Sequence, residues 1–398
     1  MLEKVFFKDN GENSVGPTGK FIFQYNLFTD KPDLIPVEID REVEEGQELV
    51  VDEGISVVKT GDTSQLIISG FGIFLGKKSE RLVIKQGQKA VYEFPFFRLN
   101  EVIVSSKGIS VSSDLIEEIS QRGIRLSFLS GNGKPYATIS SPMLTATILS
   151  RREQIIAYND HRGLEFSKTI VQGKIKNQEK LLRYFGKYLK QSSPEKFAKI
   201  ERIADKLKEI QGRIKSIKGN NIYEVRDIIS GIEGISGRLY WEGVKEIVSQ
   251  KIEFFGRVRL GALDEMNSLL NYGYGILYST VWGAVMNAGL DPFAGFLHTD
   301  RPGKPSLVLD LVEEFRQPVV DRVVISHINL GEAIKIEKGL LGAETRKVIG
   351  SKILERLENP VQFGGKTYKL RSVIQLQARN LCAFLRGERP YKCYSFKW

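Results

Sequence analysis

The chain has 398 residues, room for two or three domains and a sizeable core, and its 41% hydrophobic and 27% charged content is ordinary for a folded globular protein. No apolar run approaches the roughly 20 residues of a membrane span; the amino terminus MLEKVFFKDN lacks the apolar centre of a signal peptide, and the two cysteines, outside any CxxC pair, give no sign of a disulfide framework. A cytoplasmic protein without membrane contact is therefore expected, and its net charge of +10 is unevenly spread: residues 1–64 hold 6 Lys/Arg against 14 Asp/Glu, leaving 52 against 34 in the remainder, so the basic body points to a polyanion partner unless the charge serves solubility alone.

Residues 1–64 combine acidic residues and turn signals (GENSVGPTGK, TDKP) with short strand-like runs, FIFQYNLF and ISVVK. They read as a small β-rich extension of unknown role that could cover a sheet edge or meet a partner. Residues 65–140 alternate with period two through LIISGFGIFL, RLVIKQ, AVYEFPF, NEVIVSS, IRLSFL and YATIS, interrupted by one helix near Ser113–Arg122. This predicts a β-sandwich or β-roll. SGNGKP, residues 130–135, lacks the spacing of a phosphate-binding loop and reads as a hairpin turn. From residue 141 to 398 the periodicity is helical, with helices expected over Leu144–Tyr158, Glu165–Leu189, Pro194–Ser216, Ile235–Val248, Asp264–Ala288, Ser306–Arg316, Ala343–Leu357 and Leu370–Leu385. The expected fold class is α+β: an N-terminal β domain followed by a larger all-α domain, with the extension in front.

Within the helical part, GFLHTDRPGKPSLVLDLVEEFRQP places His298 just ahead of a helix carrying Asp310, Glu313 and Glu314. Asp310 and Glu313 are three apart and share a face, while Leu309, Val312 and Phe315 would anchor the other side. An imidazole with one or two carboxylates on a packed element suits a divalent metal for phosphodiester chemistry. Upstream, GIEGISGRLYW sets Glu233 between glycines at the expected start of a helix, where a carboxylate is also favoured by capping alone. His161 and His327 have no comparable acidic partner and read as structural.

Several segments carry a family likeness: GIRLSFLSGNGKPYA, RREQ at Arg151–Gln154, IVQGKIKNQEKLL, GIEGISGRLYW, FFGRVRLGALDEMNSLLNYGYGILYSTVWGAVMNAGLDPFAGFLH, SLVLDLVEEFRQPVVDR and QLQARNLCAFLRGERPYKCYSFKW. In this order, over roughly residues 66–398, the chain resembles the CRISPR-associated integrase of spacer acquisition. The resemblance implies a metal site of Glu233, His298 and Glu313, with Asp310 as a catalytic neighbour or outer support. It leaves open which of Asp310 and Glu313 touches the metal. The mixed nitrogen and oxygen donors favour Mg²⁺ or Mn²⁺ over a closed zinc site.

The resemblance also implies dimerisation through the β domain, and paired homodimers bridged by a small CRISPR-associated partner protein ("Cas two") on double-stranded DNA. Lys174, Asn177, Arg257, Arg259 and Asn267 are candidate DNA contacts, although Asn267 and Asn271, four apart, could instead form a buried polar clasp. Residues 168–218 hold 15 Lys/Arg against 5 Asp/Glu with Tyr184, Phe185 and Tyr188 interleaved. They could follow a phosphate backbone or be a solvated helical hairpin with internal ion pairs. Tyr240, in RLYW, fits packing near the metal better than a recombinase nucleophile. The expected activity is metal-dependent joining of the 3′-hydroxyl ends of short DNA fragments into a repeat array by transesterification, with endonuclease side activity. The rivals are a transposon-borne relative, against which the lack of an added DNA-binding domain before Trp398 argues, and a non-catalytic DNA-binding scaffold.

Overall fold

The computed structural model describes residues 21–25, 32–36, 48–52, 55–60, 63–130, 135–139, 148–258, 263–337 and 340–396, with side chains from Gln65 onward. The chain divides into two units, residues 1–47 and 48–398. In the first, β1 (Phe21–Tyr25) pairs antiparallel with β2 (Pro32–Pro36); all that follows concerns the second.

There, β3 (Glu48–Asp52), β4 (Ile55–Thr60) and β5 (Thr63–Ile68) lead into the meander of β6 (Ile73–Lys78), β7 (Arg81–Gln86) and β8 (Lys89–Pro95). After β9 (Leu99–Val104) and the short β10 (Ser110–Val111) comes helix α1 (Ser113–Gln121), capped by the Ser112 hydroxyl, and then β11 (Arg125–Leu129) and β12 (Pro135–Ile139). One sheet runs β12-β11-β9-β5-β4-β3 and the other β10-β6-β7-β8. The β3–β4 ribbon pairs along β5, so the expected boundary at 64/65 falls inside a sheet. β11 and β12 pair antiparallel, as the hairpin reading of SGNGKP requires; residues 131–134 of that turn lie outside the described residues.

The central strands of the larger sheet, β5, β9 and β11, are apolar on both faces. Leu66, Ile68, Val102, Val104 and Leu126 pack with Leu75, Leu82, Ile84 and the α1 residues Leu115 and Ile119. The alternating positions Ile67, Ile103 and Leu129 join the core of the helical region instead. A strand buried on both faces reads as a continuous apolar run, which is why LII and VIV lack clean alternation.

The helices are α2 (Ile148–Ala157), α3 (His161–Gly186), α4 (Leu189–Ser192), α5 (Pro194–Lys215), α6 (Ile222–Val248), α7 (Glu265–Asn287), α8 (Ser306–Val312), α9 (Arg322–Asn329), α10 (Ala343–Glu358) and α11 (Leu370–Leu385). Three differ materially from expectation. α6 starts well before Ile235, capped by the Asn221 side chain, because the glycines at 231, 234 and 237 are carried inside it. The expected helix Ser306–Arg316 ends at Val312, and a π-helical turn, Arg316–Asp321, follows and runs into α9, which the periodicity did not reveal. The region is also not purely helical: β13 (Ile336–Glu337) pairs with β14 (Leu340–Leu341), and β15 (Pro360–Phe363) with β16 (Lys366–Lys369). α7, capped by Asp264, is buried over most of its length and packs against α8, α10, α11 and the π turn. No described helix is long and apolar enough to cross a membrane.

A buried carboxylate adds a polar tie between the lobes. Glu101, on β9, accepts from Arg125 Nε at 2.8 Å, from Arg371 Nη1 of α11 at 3.0 Å and from Gln65 Nε2 at 3.2 Å. Arg125 continues to the carbonyl oxygens of Ser279 and Thr280 on α7. It crosses there over Gly283, where any Cβ would collide with its guanidinium. Burial alone would raise the Glu101 carboxyl, but Arg125 and Arg371 outweigh it and hold it below the usual range. A carboxylate whose folded pKa is depressed stabilises the fold above its unfolded pKa and loses that contribution as pH falls. Glu101→Gln should therefore lower the melting temperature by several degrees at pH 7, a loss on the order of 3 kcal/mol. The deficit should shrink below about pH 4, as differential scanning calorimetry at both pH values would read.

Candidate metal centre

Asp310, Glu313 and Glu314 lie close together in sequence, and the fold gives each a different task. α8 is buried on nearly every side, so none of the three is a solvated charge. Asp310, fully buried, accepts from the backbone N–H groups of Phe296 at 2.7 Å, Leu297 at 3.0 Å and His298 at 3.0 Å, and its Oδ1 lies 2.7 Å from His298 Nδ1. A carboxylate only accepts, so Nδ1 carries a proton and Nε2 is the nitrogen left for the cleft that His298 lines. Glu314 turns the other way, into the carboxyl-terminal segment. It accepts from the Tyr391 hydroxyl, from Gln377 Nε2 at 2.7 Å and from the Tyr394 backbone N–H at 2.6 Å. Burial pushes its carboxyl up, to about 7, against those donors.

Glu313 faces the cleft side. Its Oε1 lies 3.1 Å from Arg316 Nη2, and its Oε2 lies 2.7 Å from Lys174 Nζ as an ion pair rather than an aligned hydrogen bond. The same Lys174 nitrogen donates to Glu233 Oε1 at 2.5 Å. Two carboxylates from α6 and the end of α8 thus converge on one positive point supplied by α3. Burial would raise the Glu313 carboxyl, but Arg316, Lys174 and His298 hold it at about 2. Burial likewise works against the His298 imidazolium, and Asp310, Glu313 and Glu233 together outweigh it, leaving the ring above its ordinary pKa.

Among the described residues no three His, Cys, Asp or Glu donors are closed tightly enough to grip an ion as they stand, and Lys174 is the group interposed. The donors nonetheless suit a hard divalent cation: two carboxylates already share a cationic centre, one buried Glu313 oxygen lacks an aligned donor, and an imidazole with an anchored Nδ1 lines the same cleft.

That cleft has a volume of ≈ 690 Å³. α6 builds one wall, presenting Glu233, Gly237, Trp241 and Lys245 at successive four-residue steps, with Arg238 alongside. Glu233 is therefore in the middle of a long helix, not at the helix start expected from its glycines. Arg257, Tyr274 and Arg316 contribute further charge and an aromatic wall. Asp321, in the π turn, is fully buried and takes the hydroxyls of Tyr240, at 2.7 Å, and Tyr274. Burial, with Asp321 beside it, drives the Tyr240 hydroxyl far above its usual pKa, so Tyr240 is a packed, protonated residue and no nucleophile.

The expected DNA contacts are placed unevenly. Asn177 is fully buried, and its amide donates to the carbonyl oxygens of Glu314 and Tyr394, both at 3.0 Å, which leaves it no surface for a phosphate. Lys174 is buried in the carboxylate pair. Asn267 is also buried. It accepts from Arg257 Nη1 and the Val258 N–H, both at 2.9 Å, and donates to the Gly256 carbonyl oxygen at 2.8 Å. The clasp reading fits it, with Asn271 accepting from Arg257 Nη2 at 2.6 Å. Arg257 does line the cleft; Arg259 lies outside the described residues. In the basic stretch Arg183 pairs with Glu179, Glu201 and Asp205, and Lys187 sits over the Tyr184 and Tyr188 rings. His327 is buried with Nδ1 3.0 Å from Glu332, a structural placement.

The cleft cations Arg238, Lys245 and Arg316 were not singled out from sequence, although spacing from Glu233 along one helix face would have pointed to Lys245. Arg316 is placed by the π turn, which no periodicity announces.

Comparison with known proteins gives consistent similarities. Residues 66–352 match the family model described as CRISPR associated protein Cas1. A CRISPR-associated endonuclease Cas1 of Archaeoglobus fulgidus is 35% identical over 347 residues, 84% of this chain and 100% of that protein. One from Francisella tularensis subsp. novicida is 38% identical over 333 residues, 84% of this chain and 99% of its own length. Among solved structures, a casposase bound to integration product superposes with a TM-score of 0.69 at 26% identity, covering 83% of this chain and 95% of that one. A CAS1 protein from Thermotoga maritima, at 20% identity, shares the fold with a TM-score of 0.67 over 82% of this chain and 97% of its own.

Lys174→Met removes the cation between two carboxylates, one of them buried. The expected cost is on the order of 3 kcal/mol, read as a lower denaturation midpoint, whereas Arg213→Met, at an exposed helix pair with Glu209, should change it by less than about 1 kcal/mol.

Proposed function

The chain belongs to the Cas1 family of CRISPR-associated proteins, DNA endonucleases related to integrases, and from that premise we propose that Glu233, His298 and Glu313 form its divalent-metal site. The observation that carries this is the meeting of Glu233 and Glu313 on a single Lys174 nitrogen, in a cleft lined also by His298. Mg²⁺ or Mn²⁺ held there would neutralise charge on a phosphodiester and favour in-line attack by a DNA 3′-hydroxyl, or by water in the nicking side reaction.

The chain's own residues supply the rest. Asp310 fixes the His298 ring and its protonated Nδ1, so Nε2 stays presented; it supports the site without being a ligand, because both its oxygens are already engaged. Arg316 keeps the Glu313 carboxyl ionised within a buried setting. Lys174 holds the two carboxylates together and must yield its position to a bound ion, leaving an ammonium group beside the incoming phosphate. Arg238, Lys245 and Arg257 make the cleft attractive to a DNA backbone. This basic cleft beside an Asp310-supported imidazole favours an enzyme over a bare DNA-binding scaffold.

The substrate proposed is double-stranded DNA with free 3′-hydroxyl ends, joined into a repeat array. Similarity to the casposase bound to integration product supports strand joining. The shared fold with a Cas6-RT-Cas1–Cas2 complex, TM-score 0.68 at 19% identity, is compatible with a homodimer working with Cas2.

Strand transfer of a 3′-hydroxyl duplex into a repeat-bearing plasmid tests the reading. Glu233→Ala, His298→Ala and Glu313→Ala should each lose at least about 100-fold in Mn²⁺-dependent joining, and Glu313→Gln should abolish the Mn²⁺-induced rise in melting temperature. Asp310→Asn should lose roughly 10- to 100-fold while still responding to Mn²⁺. Wild-type joining by His298→Ala would overturn the site assignment.

A further inference from the structure

About two turns ahead of Glu233 on α6, Arg226 reaches the loop that carries His298. Its Nη2 donates to the Phe296 carbonyl oxygen at 3.0 Å and to the hydroxyl of Tyr158, just past α2, at 3.2 Å. The guanidinium lies 5.6 Å from the Tyr158 ring centroid and 5.1 Å from that of Tyr223, and the two rings meet edge-on at 4.9 Å. Arg226 has no carboxylate partner among the described residues, and its buried Nε makes no hydrogen bond. An apolar side chain would fill the space beside the two rings without that desolvation cost. The carbonyl that Arg226 holds is what an apolar residue could not supply.

That carbonyl belongs to the peptide joining Phe296 to Leu297. The N–H of the same peptide, on Leu297, donates to Asp310 at 3.0 Å. One peptide plane is thus held at its oxygen by α6, which bears Glu233, and at its nitrogen by α8, which ends beside Glu313. The Phe296 side chain is fully buried and edge-on to Phe166, with centroids 5.4 Å apart, so the plane is anchored in the core as well. His298 follows directly after Leu297. The Asp310 bonds set His298 relative to α8 and hence to Glu313; the Arg226 bond sets it relative to α6 and hence to Glu233.

Resting on the metal site proposed above, we propose that Arg226 is a positioning residue: through the Phe296–Leu297 peptide it sets the reach between His298 Nε2 and the Glu233 carboxylate, and with it the affinity of the site for a divalent ion. Arg226 is not among the described residues that line the cleft, so it acts through the loop rather than on DNA.

Mn²⁺ titrated into metal-free protein, followed by the electron paramagnetic resonance signal of the free ion, reads that affinity without DNA. Arg226→Met should raise the half-saturating Mn²⁺ concentration about ten-fold. Arg226→Lys, which keeps a donor but loses the planar fork, should lie between it and wild type. Tyr158→Phe removes the other acceptor, leaves both rings in place and should bind Mn²⁺ as wild type does. Titrations run well below each variant's Mn²⁺-free melting temperature keep lost fold from passing as lost affinity. In strand joining, Arg226→Met should need about ten-fold more Mn²⁺ yet approach the wild-type rate at saturation. Wild-type Mn²⁺ affinity in Arg226→Met overturns the proposal, and so does an equal loss in Tyr158→Phe, which would make the cluster a brace for α2. Should Arg226→Met not fold, Arg226→Lys decides, and wild-type affinity there overturns the proposal. Wild-type protein whose Mn²⁺ binding survives Glu233→Ala defeats the metal site and this inference with it; binding lost in Glu233→Ala but unaffected in Arg226→Met defeats the positioning role alone.

Discussion

The ammonium group of Lys174, 2.5 Å from Glu233 and 2.7 Å from Glu313, is the contact on which the centre of the molecule turns. Two carboxylates cannot be brought together in a largely buried place without positive charge between or beside them. Lys174 supplies it from α3 and Arg316 from the π turn, so the long helices α3 and α6 are pinned to the end of α8 by charge as well as by their apolar stripes. The arrangement sets two carboxylates, matched by two cations, beside a cleft whose lining also holds Arg238, Lys245 and Arg257.

The same constraint explains how the neighbouring acids are disposed. Asp310 is neutralised by three backbone N–H groups and the His298 ring, and this shapes the loop from Phe296 to His298 around one carboxylate. Glu314 has no ion-pair partner among the described residues. It is surrounded by donors from Gln377, Tyr391 and Tyr394, and burial raises its pKa accordingly. That ties the end of the chain to α8, with the Phe315 and Tyr394 rings stacked 5.5 Å apart as the apolar counterpart. Asp321 is satisfied by two tyrosine hydroxyls, one from α6 and one from α7. Each buried carboxylate thus draws together elements distant in sequence, and the π turn between them aims Arg316 at the cleft.

Farther away, Glu101 applies the same logic between the lobes, where Arg125 and Arg371 come from β11 and α11. Strand β9, on which it sits, has no face turned to water, since Val102 packs inside the β lobe and Ile103 inside the helical one. A rigid platform under α7 follows, and α7 in turn carries the clasp of Asn267 and Asn271 that orients Arg257 at the cleft rim. Arg257 at the cleft is therefore held by a clasp on a packed helix.

Local patterns were enough to read the α+β class, most strand runs, and helices such as Leu370–Leu385, because side-chain periodicity and capping residues act within a few positions of one another. They also marked Glu233, His298, Asp310 and Glu313 as a chemical set, with help from the family likeness. What they could not say is which carboxylate faces which partner. Asp310 and Glu313 look alike as neighbours on one predicted helix; only the fold buries the first under backbone N–H groups and turns the second toward Lys174. Asn177 and Lys174 likewise looked like surface contacts on a basic helix until α3 was packed inward. Glycines that sequence logic takes for a helix start were absorbed into α6, since burial along its length outweighs their poor propensity. Pairings between residues more than fifty positions apart depend on how whole elements pack. Local propensity carries no information about that packing, so the tertiary structure alone assigned the partner of each charge.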